Sequence, residues 1–142
     1  RLTSNFVSDQ HPAYSPDGQR IAFQRDSGGG IQIYSIRASD GGGEQQLTSS
    51  GSNVEPDWGV DGRIAFASNR DGGAFDIFVM NGDGSSQARL VNSPPNRWPA
   101  WSGDGNYVVY YRDSGGSWAI YRAARDGSGE TLLASNGLEP DW

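Results

Sequence analysis

One short motif, a proline and an aromatic residue followed by an aspartate-glycine pair, recurs along the chain at a nearly fixed spacing. It occurs as His11–Gly18, Val54–Gly62 and Trp98–Gly105, and its first residues return at Glu139–Trp142. The four prolines of the motif stand at positions 12, 56, 99 and 140, so they are 44, 43 and 41 residues apart. A period of this length indicates a supersecondary unit that is stacked on copies of itself.

Each repeat contains four short segments rich in β-branched and aromatic residues, and turns that contain glycine separate them. In the first repeat, Arg20–Phe23 and Ile31–Tyr34 follow the proline motif. Asp-Gly pairs supply the positive φ angles that tight hairpin turns need. No stretch shows a sustained apolar period of 3.6 residues, so no helix is predicted. Four strands at this spacing are typical of a β-propeller blade.

Several of these motifs resemble the WD-like repeat of TolB-like β-propeller proteins. The motifs are Ser15–Gly18, Gln46–Thr48, Ala67–Gly72 and Asp76–Asn81, and related segments recur in order through nearly the whole chain. The resemblance implies that the proline-containing strand of each blade is the innermost one, beside a central channel. Proline is tolerated there because an innermost strand has one unpaired edge.

The fold class predicted is all-β, with four-stranded antiparallel blades, about three and a half of them in a single partial β-propeller. The repeat units are about 1–45, 46–88 and 89–131, and 132–142 begins a fourth. Complete propellers have four to eight blades, so three leave a bare sheet face at each end. Each bare face has a projected area of about 320 Å². Either copies of the chain complete a ring, with a homo-dimer favoured, or the chain is a piece of a longer protein.

Composition and charge argue against several functions. The net charge of -6 argues against binding to nucleic acid, because phosphate binding needs a basic surface. No apolar run approaches the roughly 18 residues of a membrane span. The chain has no cysteine, its one histidine is His11, and no serine lies in a Gly-x-Ser-x-Gly elbow. We therefore expect no nucleophilic catalysis, no nucleic-acid binding and no membrane insertion.

The repeated motif has two faces when it is placed on a strand, because successive side chains alternate. One face should pack between neighbouring blades through its aromatic residues, which are Tyr14, Trp58, Trp101 and Trp142. The other face, with the residues just before the prolines, holds the candidates for ligand binding at the channel mouth. These candidates are His11, Glu55, Asp57, Arg97, Trp98, Glu139 and Asp141.

Two groups of side chains allow more than one interpretation. The pairs Glu55/Asp57 and Glu139/Asp141 are solvated charges, an acid–base pair, or oxygen ligands for Ca²⁺ or Na⁺ in the channel. No other cofactor is predicted. In the last repeat a dense group of side chains either packs between blades or stacks on a peptide or sugar. That group is Arg97, Trp98, Tyr107, Tyr111, Arg112, Trp118 and Arg122.

These features favour a non-catalytic binding or assembly module that self-associates into a ring and takes a peptide or protein segment at the channel mouth. One alternative is the propeller part of a larger enzyme, gating access to a hydrolase domain. Another is a purely structural repeat whose only property is self-assembly. The family resemblance alone favours a periplasmic or extracellular location.

Overall fold

The computed structural model describes residues 3, 7–26, 28–92, 95–113 and 115–135. These residues form twelve β-strands and no helix, arranged in three four-stranded antiparallel sheets. In every sheet each strand pairs with the next one along the chain, and we call the sheets blades 1, 2 and 3. The all-β architecture of propeller blades that the repeats predict is therefore confirmed.

The three blades share one strand pattern, with the proline motif on the first strand, at the edge of the sheet. Blade 1 consists of β1 Asp9–Tyr14, β2 Arg20–Asp26, β3 Ile31–Arg37 and β4 Gln45–Gln46. Blade 2 consists of β5 Asn53–Trp58, β6 Arg63–Ser68, β7 Asp76–Asn81 and β8 Ala88–Arg89. Blade 3 consists of β9 Asn96–Trp101, β10 Tyr107–Asp113, β11 Trp118–Ala124 and β12 Thr131–Ser135.

The sheets are offset from the sequence repeats by one strand. Residues at the start of the second repeat form part of β4 and pair with β3, and the Leu47 amide donates to the Ile33 carbonyl at 2.8 Å. Strands β8 and β12 likewise contain residues that open the following repeat. Each blade is thus closed by the first residues of the next repeat. The remainder of the fourth repeat, 136–142, lies outside the described residues.

The core consists of two apolar layers, one at each junction between blades. Blades 1 and 2 meet through Ala22, Ile33, Leu47, Ile64, Phe66, Phe78 and Met80. Blades 2 and 3 meet through Val54, Ala65, Ala67, Ile77, Val79, Val91, Trp101, Val108, Tyr110 and Ala123. Since facing side chains come from different repeats, burial of apolar surface depends on stacking one blade against the next.

The outward face of blade 1 differs from the prediction that both end faces are bare. Its apolar side chains are only 3–9% exposed, and they are Ile21, Phe23, Tyr34 and Ile36. The guanidinium group of Arg25 lies over two of these rings, with its carbon 5.0 and 4.8 Å from their centroids. Thr3 borders a small groove on the same face. The prediction is wrong for this end, because Arg25 covers the two rings and Thr3 borders the rest of the face.

The opposite end, on blade 3, retains exposed apolar groups. Leu133 on β12 is 44% exposed, and Tyr107 on β10 is 36% exposed. A shallow groove beside Leu133 is also lined by Val109 and Arg122. Of the two end faces, blade 3 therefore offers the larger accessible apolar surface.

Every blade holds one arginine against two aromatic rings. The arginines are Arg25, Arg70 and Arg112, and they cover the ring pairs Phe23/Tyr34, Phe66/Phe78 and Tyr110/Tyr121. The residue just before the fourth strand of each blade binds the guanidinium group. These residues are Glu44, Gln87 and Glu130. We call these three arrangements the arginine clamps. A planar guanidinium can stack and donate several hydrogen bonds at once, which lysine cannot.

Candidate functional site: the channel cleft

The first strands of the three blades converge on one open cleft of about 420 Å³. We call it the channel cleft. It is lined by His11–Tyr14 of β1, Glu55–Asp57 of β5, Trp98–Ala100 of β9, and Tyr111. All three copies of the proline motif therefore contribute to one surface, and this surface contains most of the candidate binding residues.

Each first strand contains a β-bulge at the residue before the proline. The φ angles there are 51° at His11, 57° at Glu55 and 49° at Trp98. In β1, His11 and Pro12 lie opposite the single residue Phe23. A left-handed conformation costs a non-glycine residue about 1–2 kcal/mol, and such strain concentrates at functional sites. The strict alternation predicted for the motif is wrong, because at each bulge the proline lines the cleft together with the residues on both sides of it.

Glu55 links blade 2 to blade 3. Its carboxylate accepts hydrogen bonds from Arg97, at 3.0 Å from Nε and 2.5 Å from Nη2, and from the Trp98 amide at 2.8 Å. The Glu55 amide in turn donates to Oε1 of Gln24 in blade 1 at 2.8 Å. The side chain of Glu55 is 6% exposed, so a freely solvated charge at this position is excluded. Glu55 instead joins all three blades.

Asp57 is the second carboxylate of the cleft, and its surroundings differ from those of Glu55. Its Oδ2 accepts a hydrogen bond of 2.6 Å from the Trp101 amide. Burial raises the pKa of Asp57, and hydrogen bonds from the amides of Trp101 and Trp58 offset this only in part. Among the described residues, Asp57 forms no ion pair with an arginine. Its carboxylate is therefore partly removed from water, and no arginine of the described residues pairs with it.

Aromatic side chains stand on both flanks of these carboxylates. Trp98 is 36% exposed and packs edge-on against Tyr111 and Trp118, with ring centroids 5.7 and 5.5 Å apart. Tyr14, on β1, is 61% exposed and lines the cleft. Its predicted position between two blades is not observed, because the described residues place no blade against that side of β1. His11 is also exposed.

The two tryptophans of the motif occupy the junctions between blades. Trp58 is half-buried against the layer between blades 1 and 2, and its Nε1 donates to the Gly62 carbonyl at 3.1 Å. Trp101 is 6% exposed between blades 2 and 3, where the Arg63 guanidinium lies 4.8 Å from its ring centroid. The equivalent Trp142, with Glu139 and Asp141, lies outside the described residues.

The dense group of aromatic and arginine residues in the last repeat divides into four contacts, and the first is the pairing of Arg97 with Glu55 described above. Trp98, Tyr111 and Trp118 form one aromatic group, Arg112 belongs to an arginine clamp, and Arg122 lies 4.6 Å from the ring centroid of Tyr107. Most of the group thus packs within blade 3, and only Trp98 and Tyr111 line the cleft.

No three histidine, aspartate or glutamate side chains converge within the part of the chain that the structure describes. A Ca²⁺ or Na⁺ ion in the channel, as considered from the sequence, stays a prediction. The described strands and turns also include no helix that is long and apolar enough to span a membrane.

Two features of the structure were not predicted from the sequence, the arginine clamps and the ion pair between Glu55 and Arg97. The arginine clamps had a signal, since an arginine stands two or four residues after an aromatic residue in each repeat (Phe23, Phe66 and Tyr110), while the chain contains no lysine. The pairing of Glu55 with Arg97 had none, because it joins residues 42 positions apart on different blades. Such a pairing depends on how the blades stack.

Comparison with known proteins agrees with the geometry. A family model described as the TolB β-propeller domain, PD40, matches residues 1–142. No curated protein sequence matches the chain. The structure of a TolB from Agrobacterium tumefaciens has a TM-score of 0.85 and 26% identity, over 94% of this chain and 52% of that one.

Two further solved structures show the same fold at lower identity. TolB from Acinetobacter baumannii has a TM-score of 0.80 at 22% identity, over 96% of this chain and 35% of that one. A puromycin hydrolase has a TM-score of 0.76 at 14% identity, over 94% of this chain and 23% of that one. The chain spans about half the length of the Agrobacterium protein and about a third of the Acinetobacter protein.

Proposed function

Because the chain belongs to the TolB β-propeller family, we propose that it is a non-catalytic binding module whose channel cleft holds a segment of a peptide or protein. The residues that line the cleft support this proposal. Exposed aromatic groups, Tyr14 on β1 and Trp98 on β9, flank the strand that bears Glu55 and Asp57. Tyrosine and tryptophan are the side chains that most often dominate binding energy at protein interfaces.

The dimensions and the backbone of the cleft support the same ligand class. Its volume of about 420 Å³ lies within the range of about 300–1,000 Å³ that is usual for ligand sites. The bulges hold His11 and Trp98 in left-handed conformations at the rim. Backbone strain of this kind clusters at sites where the position of a side chain serves ligand binding or catalysis. A short extended segment, with side chains that contact the aromatic rings, fits such a groove.

The residues of the cleft favour binding over catalysis. The carboxylate of Glu55 already accepts hydrogen bonds from Arg97 and from the Trp98 amide. His11 forms no hydrogen bond with a hydroxyl group of the described residues, and the chain has no cysteine. A nucleophile next to a base, as covalent catalysis requires, has no counterpart among these side chains.

The alternative function is that of a propeller within a larger enzyme, where it gates access to a hydrolase domain. The likeness to a puromycin hydrolase motivates this alternative, although at 14% identity it concerns the fold alone. A catalytic elbow elsewhere in a longer parent sequence would favour it over the binding module. Family membership also favours a periplasmic or extracellular location for either role.

Selection of a random peptide library against the purified chain tests the binding function. Enriched peptides are measured by calorimetry on the wild type and on Trp98→Ala and Tyr14→Ala, each expected to weaken binding on the order of tenfold. Val60→Ala serves as the control, because Val60 is 56% exposed but does not line the cleft. The proposal fails if no peptide is enriched, or if the enriched peptides bind both cleft variants as well as the wild type.

A second proposal, association with another copy, is supported by the exposed apolar face of blade 3. Two end-to-end junctions of about 320 Å² per face would bury about 1,300 Å² in total, within the usual size of a stable interface. A closed ring of two copies would also require Thr3 to leave the face of blade 1.

Sedimentation velocity tests this association directly. We expect a dimer for the wild type and a monomer for Leu133→Glu, with Val60→Glu as a control of equal charge. A wild-type chain that is folded and monomeric throughout the concentration series would contradict association.

A further inference from the structure

The two carboxylates of the channel cleft differ in how they are neutralised. Glu55 faces the Arg97 guanidinium, with Nη2 at 2.5 Å. Asp57 lines the same cleft and accepts the Trp101 amide at Oδ2, yet it forms no ion pair within the described part of the chain. Among the described residues, Asp57 is therefore the carboxylate of the cleft that has no arginine paired with it.

An ionised carboxylate that is partly removed from water is unfavourable unless an opposite charge approaches it. Burial already raises the pKa of Asp57, and a nearby cation would lower it again. The cleft is open, so such a cation can arrive with a ligand. The net charge of -6 also favours the approach of basic ligands.

The flanks of the cleft suit a flat cation. Tyr14 on β1 presents an exposed ring. Trp98 on β9 is partly exposed as well, although the Arg97 guanidinium already lies 5.2 Å from its ring centroid. The face of an aromatic ring attracts a cation, and most strongly when water is excluded. The arginine clamps use the same chemistry within the protein: Arg25 lies over two rings while its Nε donates to Asp9 at 2.6 Å.

We propose that Asp57 anchors an arginine side chain of the peptide held in the channel cleft, with the guanidinium group stacked on Trp98 or Tyr14. The proposal rests on the peptide-binding function above and adds the chemistry of its ligand. Arginine suits the site better than lysine because its planar, weakly hydrated group can pair with a carboxylate and stack on a ring simultaneously. Asp57 and Trp98 would thereby select basic segments.

The test compares two blocked pentapeptides, Ac-Ala-Ala-Arg-Ala-Ala-NH2 and the same peptide with neutral citrulline in place of arginine. Each is titrated into the isotopically labelled chain and followed by amide NMR shifts. The arginine peptide should shift the amides of Asp57 and Trp98 in a saturable manner. Binding to Asp57→Asn should be weaker on the order of tenfold, and Asp126→Asn, which removes the same charge at an exposed turn, should bind as the wild type does.

Asp57→Asn is expected to fold, because its side-chain oxygen can still accept the Trp101 amide, and its NMR spectrum checks this. The inference is overturned if the arginine peptide gives no saturable shifts at the cleft. It is also overturned if citrulline binds equally well, or if Asp57→Asn binds as tightly as Asp126→Asn. A cleft that responds to CaCl2 but not to the arginine peptide would assign the site to a metal ion instead. Library peptides that bind the cleft without basic residues would refute this inference and leave the binding function intact.

Discussion

Replacing Glu55 by alanine tests whether the junction between blades 2 and 3 depends on this carboxylate. Glu55 is buried and accepts two hydrogen bonds from Arg97 and one from the Trp98 amide. Loss of one partner of a buried ion pair costs about 3–5 kcal/mol. Because the Arg97 side chain is 29% exposed and can regain water, we expect Glu55→Ala to lower the free energy of unfolding by about 2–3 kcal/mol. Glu55→Gln keeps an acceptor for the Trp98 amide and should lower it by about 1 kcal/mol.

Equilibrium unfolding in urea, followed by tryptophan fluorescence, measures these differences. Glu44→Ala is the matched control, because Glu44 also pairs with an arginine but its side chain is 48% exposed, and such pairs contribute about 0–1 kcal/mol. A double-mutant cycle with Arg97→Ala should give a coupling energy of about 1 kcal/mol or more. If Glu55→Ala loses no more stability than Glu44→Ala, the carboxylate does not hold the blades together and the reasoning is refuted.

Three further predictions concern the same strands. A Cβ atom on Gly59 would lie 2.7 Å from the Trp101 ring, so Gly59→Ala should destabilise by about 1–3 kcal/mol in thermal unfolding, whereas Gly103→Ala, with open space around it, should not. His11→Gly should be about 1 kcal/mol more stable than His11→Ala, because only glycine relieves the left-handed backbone; equal stabilities would contradict the strain. Since burial raises the pKa of Asp57, the wild type should lose stability as pH rises from the ordinary aspartate pKa through the raised value, and Asp57→Asn should lack this loss. Parallel pH profiles of unfolding would contradict it.

The blades could be predicted from the sequence because their determinants are local. Gly18 adopts a φ of 69° and its amide donates to the Ser15 carbonyl at 2.8 Å, which is the hairpin turn that the Asp-Gly pair indicates. Pro12 lies on the edge strand that the motif requires. Each of these features depends on a few consecutive residues, and the period repeats them.

The chemistry of the cleft was less predictable because it depends on contacts between blades. A strand pattern assigns Glu55 and Asp57 to one face, but the bulge and the position of β9 decide that only Glu55 meets Arg97. The exposure of Tyr14 depends in the same way on what stands next to blade 1. The bulge recurs before each motif proline, but the identity of the neighbouring blade is not encoded in the residues of a single repeat.

The one-strand offset between repeats and sheets also orders the assembly of the molecule during its synthesis. A nascent chain folds from its N-terminus, and blade 1 cannot be closed until Gln45 and Gln46 have left the ribosome. Each emerging repeat therefore completes the blade before it. A gene duplication that copies one whole repeat would insert a unit that carries the closing strand for its predecessor, so the array can lengthen without creating an unpaired edge in its interior.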